Sequence, residues 1–125
     1  MKRLILAALI LPFFCATAWG LDVVDSTMTT AVEDRTPVDH VAVFPAVDGQ
    51  LYCFTRLVGA EEPTKIEHLW YRNNQLMSRV ILPVRSPDWR TWSTKKFLPG
   101  WAGEWRVEVR DASGSLLETL EFTLI

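Results

Sequence analysis

The sequence is poor in the side chains that most often carry catalysis, metal binding or covalent cross-links. Its 125 residues include two cysteines and two histidines. One cysteine, Cys15, lies in the apolar N-terminal segment, so the rest of the chain has the single thiol of Cys53. That remainder cannot form an internal disulfide, and its stability has to come from packing. Because Cys53 lies in the apolar run 51–55, we expect it to be buried and unreactive.

Positive charge is not in excess either. The chain has 13 Lys and Arg against 15 Asp and Glu. Loss of Lys2 and Arg3 with the N-terminal segment would leave 11 against 15, a net charge of −4. Nucleic-acid binding draws most of its affinity from neutralised phosphates. A mildly acidic chain without a basic stripe is therefore not expected to have a nucleic-acid partner.

The one long apolar run lies at the N-terminus and predicts export. Basic residues at 2–3 precede the uncharged segment 4–16. Two possible cleavage sites with small residues follow, Ala16-Thr17-Ala18 and Ala18-Trp19-Gly20. This arrangement is that of a cleaved signal peptide, with cleavage expected after Gly20 and an alternative after Ala18. The run is shorter than the roughly 20 apolar residues that cross a bilayer. We expect a periplasmic or secreted protein whose mature chain has no transmembrane span.

Beyond residue 20 the chain lacks helical periodicity and alternates apolar with polar residues. The stretch 104–110 predicts a half-buried strand, whose apolar face is formed by Trp105, Val107 and Val109. A turn at 111–114 leads to the stretch 116–124, whose apolar face is formed by Leu116, Leu120, Phe122 and Leu124. The two stretches together predict a β-hairpin.

A second hairpin is predicted from residues 65–72 and 75–84, joined by Asn73-Asn74, which tolerate the left-handed conformation of a tight turn. Its second strand has an apolar side formed by Leu76, Val80, Leu82 and Val84. Pro83 in that strand indicates an edge position. Further strands are expected at 26–32, 38–44, 50–57 and 90–97.

Short strands at this spacing, without crossover helices, predict an all-β fold. We expect an immunoglobulin-like antiparallel β-sandwich of about seven strands. The predicted organisation is a signal peptide at 1–20, a short tether at 21–25 and a sandwich domain at 26–125.

Several motifs resemble a known bacterial family, the domain of unknown function 2914, from about Thr29 to Leu124. The motifs are Arg35 with Pro37, Cys53-Phe54-Thr55, the stretch 66–71, Trp89-Arg90-Thr91-Trp92-Ser93, the stretch 103–107 and the hairpin at 111–117. The resemblance implies a small β domain, often exported or attached to a membrane segment. It implies no activity.

Catalytic patterns are missing. A hydrolase triad needs a nucleophile, a histidine base and a carboxylate. Ser93 and Thr55 lie in strand-like runs without the G-x-S-x-G pattern of a nucleophile elbow, and Glu61-Glu62 lies in a loop. We therefore predict no catalytic residues and a protein that is not an enzyme.

Metal-ligating residue types occur without metal-ligating spacing. His40, Cys53, His68 and Met77 would suit copper or zinc by type, but no C-x-x-C or H-x-x-x-H pattern connects them. We predict no metal and no cofactor. His68, on one face with Ile66 and Trp70, is interpreted as a core histidine. A small periplasmic metal-binding protein or enzyme centred on His68 is the alternative function.

Tryptophan is abundant, with five of the six residues between positions 70 and 105. Trp70 and Trp105 lie on apolar strand faces and are expected in the core. The others lie at strand ends or in loops, where sandwiches place binding surfaces, although a structural role is also open to them. Arg90 could reach a carboxylate or phosphate. The candidate binding residues are Trp89, Arg90, Trp92, Trp101 and His68.

These observations together predict a non-catalytic binding or interaction module of the bacterial envelope. Its expected partner is a protein, a glycan or the cell wall.

Overall fold

The long strands from Gln50 onward form where the sequence alternates apolar and polar residues. The computed structural model describes residues 20–125, so the predicted signal peptide lies, apart from Gly20, outside the described residues. The strands are β1 (Asp22–Thr29), β2 (Val32–Glu33), β3 (Thr36–Pro37), β4 (Val43–Phe44), β5 (Gln50–Val58), β6 (Thr64–Arg72), β7 (Gln75–Val84), β8 (Asp88–Lys96), β9 (Gly103–Asp111) and β10 (Leu116–Leu124). A short 3-10 helix at Ala46–Asp48 precedes β5.

The long strands form two facing sheets. Sheet A has the order β1-β5-β8 and sheet B the order β4-β10-β9-β6-β7, while β2 and β3 form a separate small hairpin. All pairings are antiparallel except that of β10 with β4. Immunoglobulin domains place their first, second and fifth strands (A, B and E) in one sheet and C, F and G in the other. With β7 as the additional strand C′, the order here is the same. The predicted all-β sandwich is confirmed.

Both predicted hairpins are present. β9 pairs with β10, and β6 pairs with β7 through a turn in which Asn73 and Asn74 have φ angles of 47° and 69°. Positive φ at both central residues is the requirement of a type I′ turn, which asparagine tolerates. In the described part of the chain β7 pairs only with β6, so the predicted edge position of the Pro83 strand is confirmed.

Two bulges change which side chains face the core. The β6–β7 register shifts at Trp70/Tyr71, and the β9–β10 register shifts between Leu116 and Glu118. An extra residue in one strand moves the residues beyond it to the other face. Leu76 and Leu116 are consequently 49% and 50% exposed. The prediction that they share the apolar faces of their strands is wrong.

The N-terminal part of the domain also differs from expectation. Leu21 is buried, and β1 begins at Asp22, which pairs with Val58 of β5. Residues 21–25 therefore belong to the sandwich, and the predicted tether is wrong. The strand expected at 38–44 shrinks to Val43–Phe44. The preceding residues are held beside β1 instead, because the carboxylate of Asp39 accepts hydrogen bonds from Thr29 and Thr30.

The space between the sheets is filled mainly by aromatic and aliphatic side chains. Trp105 packs edge-on against Phe97 with ring centroids 5.0 Å apart, and it stacks on Phe122 at 5.9 Å. Trp70 meets Phe122 from the other side at 6.3 Å. Cys53 is fully buried in this core, as expected, and burial raises the pKa of its thiol.

No helix among residues 20–125 has the length and apolar character needed to cross a membrane.

Candidate functional site

His68 lies at the centre of a buried polar network that connects the two sheets. It projects from β6 of sheet B and is 0% exposed. Its Nδ1 lies 2.7 Å from Oγ of Ser93 on β8, and its Nε2 lies 3.3 Å from Oγ1 of Thr55 on β5. The indole N–H of Trp70 donates to the same Ser93 oxygen at 3.1 Å. The Thr55 hydroxyl donates to the carbonyl of Thr91 at 3.3 Å.

These contacts form one continuous chain of donors and acceptors, which assigns the tautomer of the imidazole. The Trp70 N–H donates to Ser93, and the Ser93 hydroxyl donates to Nδ1 of His68. Nε2–H then donates to Thr55, whose hydroxyl donates to the Thr91 carbonyl. The opposite tautomer would leave the Ser93 hydroxyl without an acceptor. Because a buried donor without an acceptor is costly, the proton resides on Nε2.

The network holds His68 neutral and inaccessible. Burial lowers the pKa of His68 to about 4, since a charge far from water is disfavoured. Both ring nitrogens are occupied by hydroxyl groups, so neither is available to a metal ion or a substrate. Ser93 lies beside a histidine, as in a hydrolase, but Ser93 is itself buried. A nucleophile needs access to its substrate, which this arrangement withholds.

The remaining potential metal ligands are not brought together with His68. His40 lies beside β1, at the edge that faces β10, where its Nδ1 is hydrogen-bonded to Thr27. Met77 packs partly buried against the core from β7. Within residues 20–125, no three His, Cys, Asp or Glu side chains are grouped so as to hold a metal ion.

Trp92 and Arg90 lie on the outer face of sheet A rather than at an end of the sandwich. Trp92 stacks on Phe54 with ring centroids 6.3 Å apart and an interplanar angle of 17°. Arg90 donates to the backbone carbonyl of Arg35 at 3.1 Å, in the turn between β2 and β3. The Arg90 hydrogen bond thus joins the small hairpin to sheet A, while Trp92 covers Phe54 on the same sheet.

Trp89 and Trp101 are at opposite ends of the domain. Trp89 lies near the start of β8, pairs with Leu57 and packs partly buried against the core. Trp101 follows the end of β8. The seven residue steps from Trp89 to Lys96 span about 23 Å in a strand. The five candidate binding residues therefore do not form one site.

The backbone of the Trp101 loop is held by hydrogen bonds from two side chains, mainly from Arg72. Arg72, at the end of β6, donates to the carbonyls of Gly100, Trp101 and Ala102 at distances between 2.9 and 3.2 Å. The indole N–H of Trp105 donates to the Trp101 carbonyl at 2.9 Å. These bonds fix most of the loop backbone.

The tip of this loop is a tight turn with an exposed aliphatic residue. The Trp101 N–H donates to the Leu98 carbonyl at 3.1 Å, with Pro99 and Gly100 at the central positions. Gly100 has a φ angle of 93°, as the third position of a type II turn requires. Leu98 opens the turn and is 55% exposed.

Two further exposed aliphatic residues lie at the same end of the sandwich. Val47, in the 3-10 helix, is 80% exposed, and Ile125 is 65% exposed. Backbone hydrogen bonds connect the segments that carry them: Ala46 N–H donates to Ile125, and Phe97 N–H donates to Gly49. We call Val47, Leu98 and Ile125 the loop-end patch.

Basic side chains flank the loop-end patch. The Lys95 ammonium lies 5.2 Å from the centre of the Trp101 ring, and Lys96 is exposed on the neighbouring position of β8. Of the predicted candidates, only Trp101 adjoins this patch. Sequence reasoning missed Arg72, Val47, Leu98 and Ile125. The one available signal was Leu98 itself, an aliphatic residue directly before a Pro-Gly turn.

Comparison with known proteins supports the resemblance noted from the motifs. No curated protein matches the chain. The family described as "Protein of unknown function (DUF2914)" matches residues 63–124, from the start of β6 to the end of β10. Residues 29–62, including the motifs at Arg35 and Cys53, lie outside the match. Over about half of its length, the chain thus resembles the DUF2914 family of proteins of unknown function.

Proposed function

We propose that the protein is an exported, non-catalytic interaction module of the bacterial envelope that contacts its partner through the loop-end patch. The observation that carries the proposal is the rigid presentation of Leu98. Arg72 binds three successive carbonyls of its loop while the side chain of Leu98 stays exposed to solvent. A preorganised loop loses little conformational entropy when it binds.

The distribution of reactive groups supports a non-catalytic role. The buried thiol of Cys53, the imidazole of His68 and the hydroxyl of Ser93 all lie in the interior. Each nitrogen of His68 is used in the network between the sheets. The groups that remain accessible to other molecules are therefore the exposed side chains of the domain surface.

The loop-end patch differs from the scattered exposed apolar residues of an ordinary surface. Isolated exposed aliphatic side chains are common and need no explanation. Here three of them lie on segments that are hydrogen-bonded to one another, at one end of the sandwich. Grouped exposed apolar residues indicate an interaction site.

The surface is tested by site-specific photo-cross-linking in the producing cell. A photoreactive amino acid is placed at Leu98 and, as a control, at Ile81, which is 55% exposed like Leu98 but lies on the outer face of β7. We expect adducts with envelope components from position 98 only, and their loss when Arg72→Lys is added. Equal adducts from both positions, or none from position 98, would contradict the proposal.

Export is tested separately by fractionation and intact mass. We expect the protein in the envelope or medium with a mass that lacks residues 1–20, or 1–18 for the alternative cleavage site. A full-length chain in the cytosol would show that the N-terminal segment is not a signal peptide.

A further inference from the structure

We infer that the loop-end patch docks on a lipid bilayer surface that carries anionic headgroups. This inference rests on the proposed function and names its partner. Four features of the patch support a bilayer over a folded protein: its small area, its convex shape, its basic flank and the position of Trp101.

The area of the patch is too small for an ordinary protein interface. Stable protein–protein interfaces use about 20–30 residues on each side and depend on shape complementarity. The exposed apolar surface here comes from Val47, Leu98 and Ile125, with the half-buried ring of Trp101 behind them. A fluid bilayer adapts to any shape, so a few aliphatic side chains are enough for shallow insertion.

The patch is carried by chain reversals that project from the end of the sandwich. Leu98 begins a type II turn, and Val47 lies in a one-turn 3-10 helix between β4 and β5. Reversals of this kind present a convex tip. A convex apolar tip fits the boundary between headgroups and acyl chains, whereas small-molecule sites are concave.

The charge around the patch has the sign that anionic headgroups require. Lys95 and Lys96 lie at this end, at the last two positions of β8, and Arg72 lies at the last position of β6. The acidic Glu104 lies at the second position of β9. The expected mature chain as a whole has a charge of −4. Each Lys or Arg near an anionic membrane surface strengthens binding, which favours this end over the rest of the domain.

The Trp101 ring lies where a membrane contact would use it. It is partly exposed behind Leu98, with its backbone fixed by Arg72 and its ring under the Lys95 ammonium. Tryptophan is enriched at membrane–water interfaces because its ring is amphipathic. With Leu98 in the acyl boundary, Trp101 and the two lysines would lie at headgroup level.

The test measures sedimentation with sucrose-loaded vesicles of phosphatidylglycerol and phosphatidylcholine, or of phosphatidylcholine alone. The protein is purified from the envelope fraction after the cell has processed its N-terminus, so that all variants begin at the same residue. We expect Leu98→Ser to reduce binding to the anionic vesicles at least tenfold. The matched control Ile81→Ser, at the same 55% exposure, is expected to change it less than twofold.

A second variant tests the basic flank. Lys96→Gln is expected to lower the preference for anionic over neutral vesicles by about fivefold, in line with the contribution of one lysine near a charged surface. Excess glycerol phosphate is expected not to release the protein, because the free anion lacks the apolar phase. Release by glycerol phosphate would show that a phosphate site, and not the bilayer, is bound.

The outcomes separate this inference from the proposed function. Absence of vesicle binding, or equal loss in Leu98→Ser and Ile81→Ser, overturns the membrane inference. If position 98 nevertheless forms an Arg72-dependent adduct with an envelope protein, the interaction module stands and its partner is a protein. If neither vesicles nor adducts are obtained, both are overturned.

Discussion

Nδ1 of His68 lies 2.7 Å from Oγ of Ser93, and this pair connects the two sheets of the sandwich from inside the core. The same two residue types form a catalytic pair when they line a cleft. Here the pair is buried between the sheets. Its further hydrogen bonds join it to Trp70 and Thr55, and the imidazole is neutral. The network makes the relative position of β5, β6 and β8 specific, because polar groups in a core accept few alternative arrangements.

Stability should fall on mild acidification because of His68. Its pKa is about 4 in the folded protein, against about 6.5 when unfolded. Between these values the unfolded chain binds the proton and the folded one does not, so the free energy of unfolding decreases as pH falls from 6.5 to 4. We expect a loss of about 3 kcal/mol across this window. Urea unfolding at a series of pH values measures it.

The control for this prediction is His68→Gln, which removes the titrating group and should flatten the curve between about pH 5 and 6.5. Below about pH 5 the carboxylates of Glu67 and Glu108, whose pKa values are lowered from 4.5, add their own slope in both proteins. The carboxylates of Asp88 and Asp39 do not contribute to the slope of the stability curve between about pH 5 and 6.5. Hydrogen bonds from Arg56 and Thr30, respectively, hold their pKa values below the ordinary 3.8. Their contribution is lost only under more acidic conditions. An equally steep curve in the variant would contradict the assignment.

Ser93→Ala should destabilise the fold more than its small size suggests. The substitution leaves the Trp70 N–H without an acceptor and Nδ1 of His68 without a donor, and an unsatisfied buried polar group costs about 1–3 kcal/mol. Chemical denaturation measures the difference. Ser78→Ala is the matched control, since Ser78 lies opposite Trp70 on β7 and is only partly buried. Equal effects of the two substitutions would show that the network contributes nothing.

Trp105→Ala should lower the free energy of unfolding by about 3–5 kcal/mol, as expected for a buried aromatic residue. Its ring is 2% exposed and touches Phe97 and Phe122. Trp89→Ala should cost clearly less, because Trp89 is only partly buried at the margin of the core. Thermal and urea unfolding of both variants give the comparison. Equal, large losses would place Trp89 fully in the core.

Arg72→Lys should loosen the Trp101 loop without unfolding the domain. Lysine keeps the charge but lacks the planar fork that reaches several carbonyls at once. Hydrogen exchange of the amides of Leu98, Gly100, Trp101 and Ala102 is expected to accelerate at least tenfold, with the strand amides unchanged. Arg79→Lys is the control, because Arg79 forms an exposed ion pair with Glu67. Unchanged exchange in the Arg72 variant would show that the loop is rigid for another reason.

The limits of sequence-based prediction are clearest at the bulges. Alternation placed Leu76 and Leu116 on apolar faces, yet each lies outside a point where the register shifts by one residue. Nothing in the local composition marks such a shift, since it depends on how two strands meet. Likewise, three aromatic residues that are close in sequence are separated in space. Trp89 and Trp92 lie on opposite faces of β8, and Trp101 follows the far end of that strand.

The sequence by itself determined the six strands β5 to β10, the two hairpins, the burial of Cys53 and Trp105, and the all-β sandwich, because period-two alternation and turn residues act locally. Only the tertiary structure decided what surrounds each polar side chain. It placed His68 between two hydroxyl groups, and it brought Arg72 to the carbonyls of a loop 28 residues further along the chain. It also gathered Val47, Leu98 and Ile125 at one end. Such contacts arise from the packing of distant segments, which no local pattern encodes.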